Sequence, residues 1–235
     1  MQGDFQVNLR NNKLAGILLL CFFMVSFVEI VGEFYENKLI VWLTKPLILP
    51  LLILYYLGRS KKINNYFILA LFASWIANLL FIQNTFEFVF YGVLFFLVYR
   101  ILVIYIIVNK VRMPNSIPLL LGSIPFAFLY VIVTIYSYET LGDNVYLFLL
   151  QGVFTIFLGG FSLGNYIMVS NKPNSLLLIS TMFMAFNQFI FLLKFFYANV
   201  NLLQAIAMAL FILGQYLLTT YMFHTEKAVQ RLEIG

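Results

Sequence analysis

Charge is what this sequence has least of. Asp, Glu, Lys and Arg make up only 10% of its 235 residues, against about a quarter in a soluble domain. Water is therefore excluded as the main solvent of the folded chain. One Cys rules out a disulfide within the chain, and one Cys with one His cannot assemble a Cys/His metal site. No metal and no cofactor is expected. The composition is instead 63% hydrophobic, with 27 Phe and 15 Tyr, and aromatic rings with one wet end enrich membrane interfaces.

A helix that crosses about 30 Å of hydrocarbon needs about 20 mostly apolar residues. Eight such stretches are present, at about 14–31, 39–57, 65–82, 86–108, 117–137, 144–168, 175–194 and 201–223. The breaks are short and polar, for example Glu33 to Lys38, Gly58 to Lys62, and Asn171-Lys172-Pro173-Asn174. Pro and Gly punctuate most of them. The expected fold class is an all-α membrane protein of eight transmembrane helices in one bundle, with residues 1–235 as a single transmembrane domain. The first apolar stretch reads as a span rather than a cleaved signal, because it is long and no small-x-small site follows it. Cys21 follows three leucines and reads as plain helix surface.

Lys and Arg in short loops set orientation. With the N-terminus inside, the inner segments hold Arg10, Lys13, Arg59, Lys61, Lys62, Lys110, Arg112, Lys172, Lys227 and Arg231. The outer side holds Lys38, Lys45 and Lys194, and the acids Glu29, Glu33, Glu36, Glu87, Glu139 and Asp143 sit at or near it. Both termini are thus expected in the cytoplasm, in a bacterial inner membrane. The net charge of +5 follows from topology, so no nucleic-acid partner is expected.

The halves are alike in places. The run from Phe95 to Tyr105 aligns without gaps to Phe211 to Tyr221, and Ala77-Asn78-Leu79 in span three matches Phe186-Asn187-Gln188 in span seven. Four helices per half would make this a parallel 4+4 repeat. Chance likeness between apolar helices is the alternative.

The run Leu43-Thr44-Lys45-Pro46-Leu47 resembles the Lys-Pro signature of the lysoplasmalogenase-like (YhhN) membrane proteins. The resemblance continues through Gly92, Phe95-Phe96-Leu97, Ile104-Tyr105 and the Gln215 region. It implies an eight-span fold and hydrolysis of the vinyl-ether bond of lysoplasmalogens. Departures accompany it. Ala77-Asn78 stands where the family pattern has Gly-Asp, Phe186-Asn187 where it has Ser-Asp or Ser-Asn, and Tyr99 where a His is common.

Vinyl-ether hydrolysis needs a proton donor and an activated water, for which carboxylates or histidine are the natural groups. The expectation is an interior of amides and one guanidinium with no group able to pass a proton. Asn78 and Asn187, joined by Gln188 and Gln215, read either as interhelical hydrogen-bonding residues or as the wall of a polar pocket. Arg100, within span four, either snorkels toward the cytoplasm or serves as a pocket cation meeting a lipid phosphate or the amides. Lys45 reads as an interfacial anchor or a head-group ligand. Glu29, taken to lie one turn from the end of span one, pairs with Lys45 or Lys194 and is the candidate for a general base.

Gly160-Phe161-Ser162-Leu163-Gly164 spells a nucleophile elbow, but inside an apolar span it reads as a close-packing helix face. His224 reads as solvated beside Glu226, with the tail from Thr225 an amphipathic continuation. The leading reading is a divergent, non-catalytic family member that binds lipid or serves as a structural subunit among other membrane proteins. An active lysoplasmalogen hydrolase and a small-solute or lipid transporter are the alternatives. Membrane lipids are the expected partners.

Overall fold

In a bilayer every backbone N–H and C=O must be satisfied within the protein, and a long apolar run meets that demand as a helix. In a computed structural model the described residues do so over most of their length. The structure describes the backbone of residues 2–83, 85–141, 145–196 and 201–234, and the side chains of these except 2–12, 86, 137, 139–141, 191–192, 194–196 and 227–234. Among the described residues eight α-helices follow one another: α1 (Gln2–Phe34), α2 (Lys38–Arg59), α3 (Asn65–Leu80), α4 (Phe86–Lys110), α5 (Ser116–Leu141), α6 (Val145–Met168), α7 (Lys172–Phe196) and α8 (Asn201–Ile234). No strand occurs among the described residues.

Among the described residues seven stretches are long and apolar enough to cross a membrane, at 13–34, 38–59, 65–83, 87–110, 116–136, 145–168 and 201–226. The stretch expected as span seven lies in α7 and is not among them, the side chains of its last turns being outside the described residues. Large apolar side chains such as Leu20, Phe27, Leu39, Ile117, Ile135 and Tyr146 are each more than half exposed, as a surface facing lipid should be.

The chain divides into two compact units, residues 1–103 with 226–235, and residues 104–225. In the first, α1 packs on α2 and α2 on α3. Its core is Phe22, Ile48, Leu49, Leu52, Tyr55, Tyr56, Phe67 and Leu71, none more than 2% exposed. Asn37 and Asn64 start α2 and α3 by accepting the amides of Ile40 and Phe67, donors that the first turn leaves unpaired.

The α1–α2 hairpin is tighter than the sequence suggests. The charged run from Glu33 was expected as a break, but α1 continues to Phe34. Asn37 N–H donates to Gly32 O at 2.9 Å and Glu36 N–H to Glu33 O at 3.2 Å. Glu36 takes the left-handed conformation, φ 52°, so the turn is a Schellman motif with Glu at the position glycine usually holds. Gly32 lets the helices meet, because a Cβ there would lie 2.6 Å from Ile40 Cγ2.

In the second unit α5 packs on α6 and α6 on α7. The Gly160–Gly164 segment is a packing face, as expected. A Cβ on Gly122 of α5 would lie 2.7 Å from the Gly160 carbonyl oxygen. Ser162 Oγ meets Thr181 Oγ1 at 2.9 Å between α6 and α7, and Ser180 donates to Gly214 O of α8 at 2.8 Å.

Candidate functional site

Carboxylates gather where the hairpin closes. Phe22, Ser26, Glu29 and Glu33 succeed one another at spacings of four, three and four, which places them on one face of α1. The short turn brings Thr44 and Lys45 of α2 opposite. Lys45 Nζ lies 2.5 Å from Glu33 Oε1 and 3.5 Å from Glu29 Oε1. Thr44 donates to Glu29 Oε2, with the Ile40 carbonyl 2.7 Å away as its other acceptor. Glu29 is 0% exposed and Lys45 4%.

Three expectations are corrected here. Glu29 is five residues from the end of α1, deeper than one turn. Lys45 is not an exposed anchor, because two carboxylates draw its ammonium inward. The interior does contain ionisable groups able to exchange a proton, and a carboxylate beside an ammonium is the usual material of acid–base chemistry. The side chain of Lys194, the other expected partner of Glu29, lies outside the described residues.

The remaining candidates are placed as follows. Asn78 is buried in α3 and donates through Nδ2 to Ser74 O of its own helix at 2.9 Å. Arg100 is 3% exposed, and its guanidinium carbon lies 6.0 Å from the Phe96 ring centroid. Phe96 is one turn toward Phe86, so the side chain leans away from the Lys110 end of α4 rather than snorkelling toward it. A cation over a ring face recovers part of its lost hydration. Tyr99 is buried with its ring 5.3 Å from that of Phe96.

Asn187, Gln188 and Gln215 belong to the second unit. Gln188 Oε1 is 3.2 Å from Thr155 Oγ1, which is 3.3 Å from Tyr130 OH. Tyr130 and Gln188 line an apolar cleft together with Leu129, Val133, Phe148, Ala185 and Phe189. Gln215 is fully buried, and Asn187 is half-buried. Among the described residues no group of three His, Cys, Asp or Glu is placed to hold a metal.

Sequence reasoning missed Thr44, Ser26 and the inward position of Glu33. The four-three-four spacing on α1 was the available signal.

Fold and site together define an all-helical membrane protein with a buried Glu–Lys–Glu cluster. The family model described as the YhhN family matches residues 40–222, most of the chain. The chain belongs to the YhhN family and is lysoplasmalogenase-like in that sense. Thr44, Lys45 and Asn78 fall inside the matched stretch, whereas Glu29 and Glu33 precede it. No curated protein and no solved structure matches the chain.

Proposed function

We propose that this protein cleaves the vinyl-ether bond of single-chain ether phospholipids, with the Glu29–Lys45 pair as its acid–base group. The observation that carries the reading is the ion pair between Lys45, from the Lys-Pro run, and the buried carboxylate of Glu29. Ionisable side chains inside a membrane bundle are expensive to bury, and they mark functional sites. The reaction adds a proton to the alkene carbon remote from oxygen and water to the oxygen-bearing carbon. The hemiacetal then collapses to a fatty aldehyde and a glycerophospho-alcohol. Glu29 lies within a network that can deliver or receive those protons, while Glu33 and Thr44 hold Lys45 and Glu29 in register.

The test is aldehyde release from a lysoplasmalogen by the purified protein in detergent. Turnover should fall by about 10²-fold or more in Glu29→Gln, the usual scale for a general acid or base. Wild-type protein that releases no aldehyde would overturn the reading.

Asn78 favours a second reading. An amide stands where the family resemblance implies an acid, and Asn cannot pass a proton at useful pH. On that reading the chain binds lysolipid, or supports other membrane subunits, without hydrolysing it. Saturable lysolipid binding with no aldehyde formed distinguishes it. On either reading we place the protein in a bacterial inner membrane with both termini in the cytoplasm, an orientation that the bias of loop cations supports. Labelling of single cysteines at positions 37 and 61 from opposite sides checks the orientation.

A further inference from the structure

Ser and Thr hydroxyls on these helices find a carbonyl acceptor as a rule. The buried Thr155, Ser162, Thr181 and Thr219 and the half-buried Thr44 and Ser123 each lie 2.6–2.9 Å from the carbonyl oxygen four residues earlier in their own helix, while buried Ser180 donates to Gly214 O and Thr225 to Met222 O. That is the usual way a hydroxyl is satisfied inside a helix. Ser26 breaks the rule. It is 1% exposed, yet its Oγ makes no hydrogen bond to Phe22 O or to any other described residue. One turn on, Glu29 Oε1 is ion-paired with Lys45 at 3.5 Å but likewise accepts no hydrogen bond.

Two such groups three residues apart have Cβ atoms about 5–6 Å from each other. Helical side chains lean toward the N-terminus of their helix, so Glu29 leans back over Ser26 and one oxygen can hydrogen-bond to both. Buried polar groups without partners are rare in native proteins, and an ordered water or a ligand is the usual reason for one.

We propose that Ser26 and Glu29 Oε1 form a buried binding site for a single O–H group, which accepts from the serine hydroxyl and donates to the carboxylate. The site stands on this geometry; its part in hydrolysis rests on the function proposed above. Two sources offer that chemistry: a water molecule, or the free hydroxyl on the glycerol of a lysolipid. In the first case Ser26 positions the water that Glu29 activates. In the second it reads the feature that separates a single-chain from a two-chain lipid, since a site built for a substrate hydroxyl rejects the analogue without it.

The experiment has two arms. Infrared difference spectra of the purified protein without lipid, in H₂¹⁶O and H₂¹⁸O, look for an isotope-sensitive internal O–H band. Turnover and binding are then measured on lysoplasmalogen and on its analogue with hydrogen in place of the free hydroxyl, for wild type, Ser26→Ala and Ser26→Thr. If water fills the site, the band is present in wild type and lost in Ser26→Ala. That variant then loses about tenfold in kcat at unchanged KM on both lipids, and Ser26→Thr recovers part of it. If the lipid hydroxyl fills it, wild type shows no such band. It prefers the hydroxyl-bearing lipid by at least tenfold, and Ser26→Ala brings that preference close to unity. Should wild type release no aldehyde, the hydrolysis reading fails, while the band and the ratio of lipid dissociation constants still decide the site. Ser26→Ala indistinguishable from wild type in band, turnover and lipid preference overturns the proposal.

Discussion

Trp75 of α3 donates its indole N–H to the carbonyl of Pro46 at 2.9 Å, and the bond answers a defect that α2 creates for itself. The Pro46 carbonyl should receive the amide of residue 50, but residue 50 is also proline and has no N–H. Trp75 supplies the missing donor from the neighbouring helix. Replacing it by Phe should keep most of the packing and lose the bond, at about 1–2 kcal/mol. Pro50→Ala restores an intrahelical donor, so the same Trp75→Phe change should cost measurably less in that background. Thermal unfolding of the four proteins in one detergent gives the coupling. Equal losses in both backgrounds would mean that the indole contributes by packing alone.

Glu36 pays a conformational penalty that glycine would not. A left-handed residue with a Cβ is disfavoured by about 1–2 kcal/mol, offset in part by the greater freedom of glycine when unfolded. Glu36→Gly should therefore raise stability by about 0.5–1 kcal/mol, and Glu36→Val should lower it. Both changes leave the Glu29–Lys45 contact in place, so the aldehyde release proposed above should not follow stability. A melting temperature unchanged by both substitutions would contradict the turn geometry.

The charge cluster makes a sharper prediction. Lys45→Met removes the one ammonium that both carboxylates contact in the described cluster. Buried charge left without its partner typically costs about 3–5 kcal/mol. Adding Glu29→Gln and Glu33→Gln to Lys45→Met should return much of that loss, because the desolvation of the stranded charges disappears with them. Detergent melts of the single and triple variants measure the difference. A triple variant no more stable than Lys45→Met would show that the lysine acts through its methylene packing.

Which of these features the sequence carried depends on how local they are. The apolar stretches were legible because lipid imposes a length and a composition, and the helices follow them within a few residues except at the start of α1, which begins at Gln2, and the end of α8, which runs to Ile234. Lys45-Pro46 was legible as a motif. The break at Glu33 was misread because charge marks a loop in most chains, while here a compressed turn lets Glu33 and Glu29 face inward. Trp75 gave no local sign, and Ser26 none beyond its place in the four-three-four spacing on α1. The partner of Trp75 lies 29 residues away, and Ser26 differs from the other buried hydroxyls only in a hydrogen bond it does not make. Arg100 stood out as a costly cation, but the direction of its lean depends on where Phe96 sits in the packed unit.

Glu226 shows the same limit at the other end of the chain and supplies a last test. The sequence places it only in a tail that reads as an amphipathic continuation of the last span. In the structure it is 8% exposed and accepts hydrogen bonds from Ser60 Oγ at 2.8 Å, Lys61 N at 3.2 Å and Tyr56 OH at 3.3 Å. Tyr56 OH in turn accepts from Asn64 N at 3.1 Å. One carboxylate thus fixes both sides of the α2–α3 turn to the last part of α8. Hydrogen bonds to a charged group contribute about 1.5–3 kcal/mol, so Glu226→Ala should cost an amount on that scale. The loss should be local, with faster amide exchange at residues 60–64 and easier proteolysis beyond residue 226, while exchange in the middle of α2 stays slow. Glu226→Gln keeps an acceptor oxygen and should fall between the two. Uniformly faster exchange across α2 and α3 would instead mean that Glu226 supports the whole first unit rather than its turn.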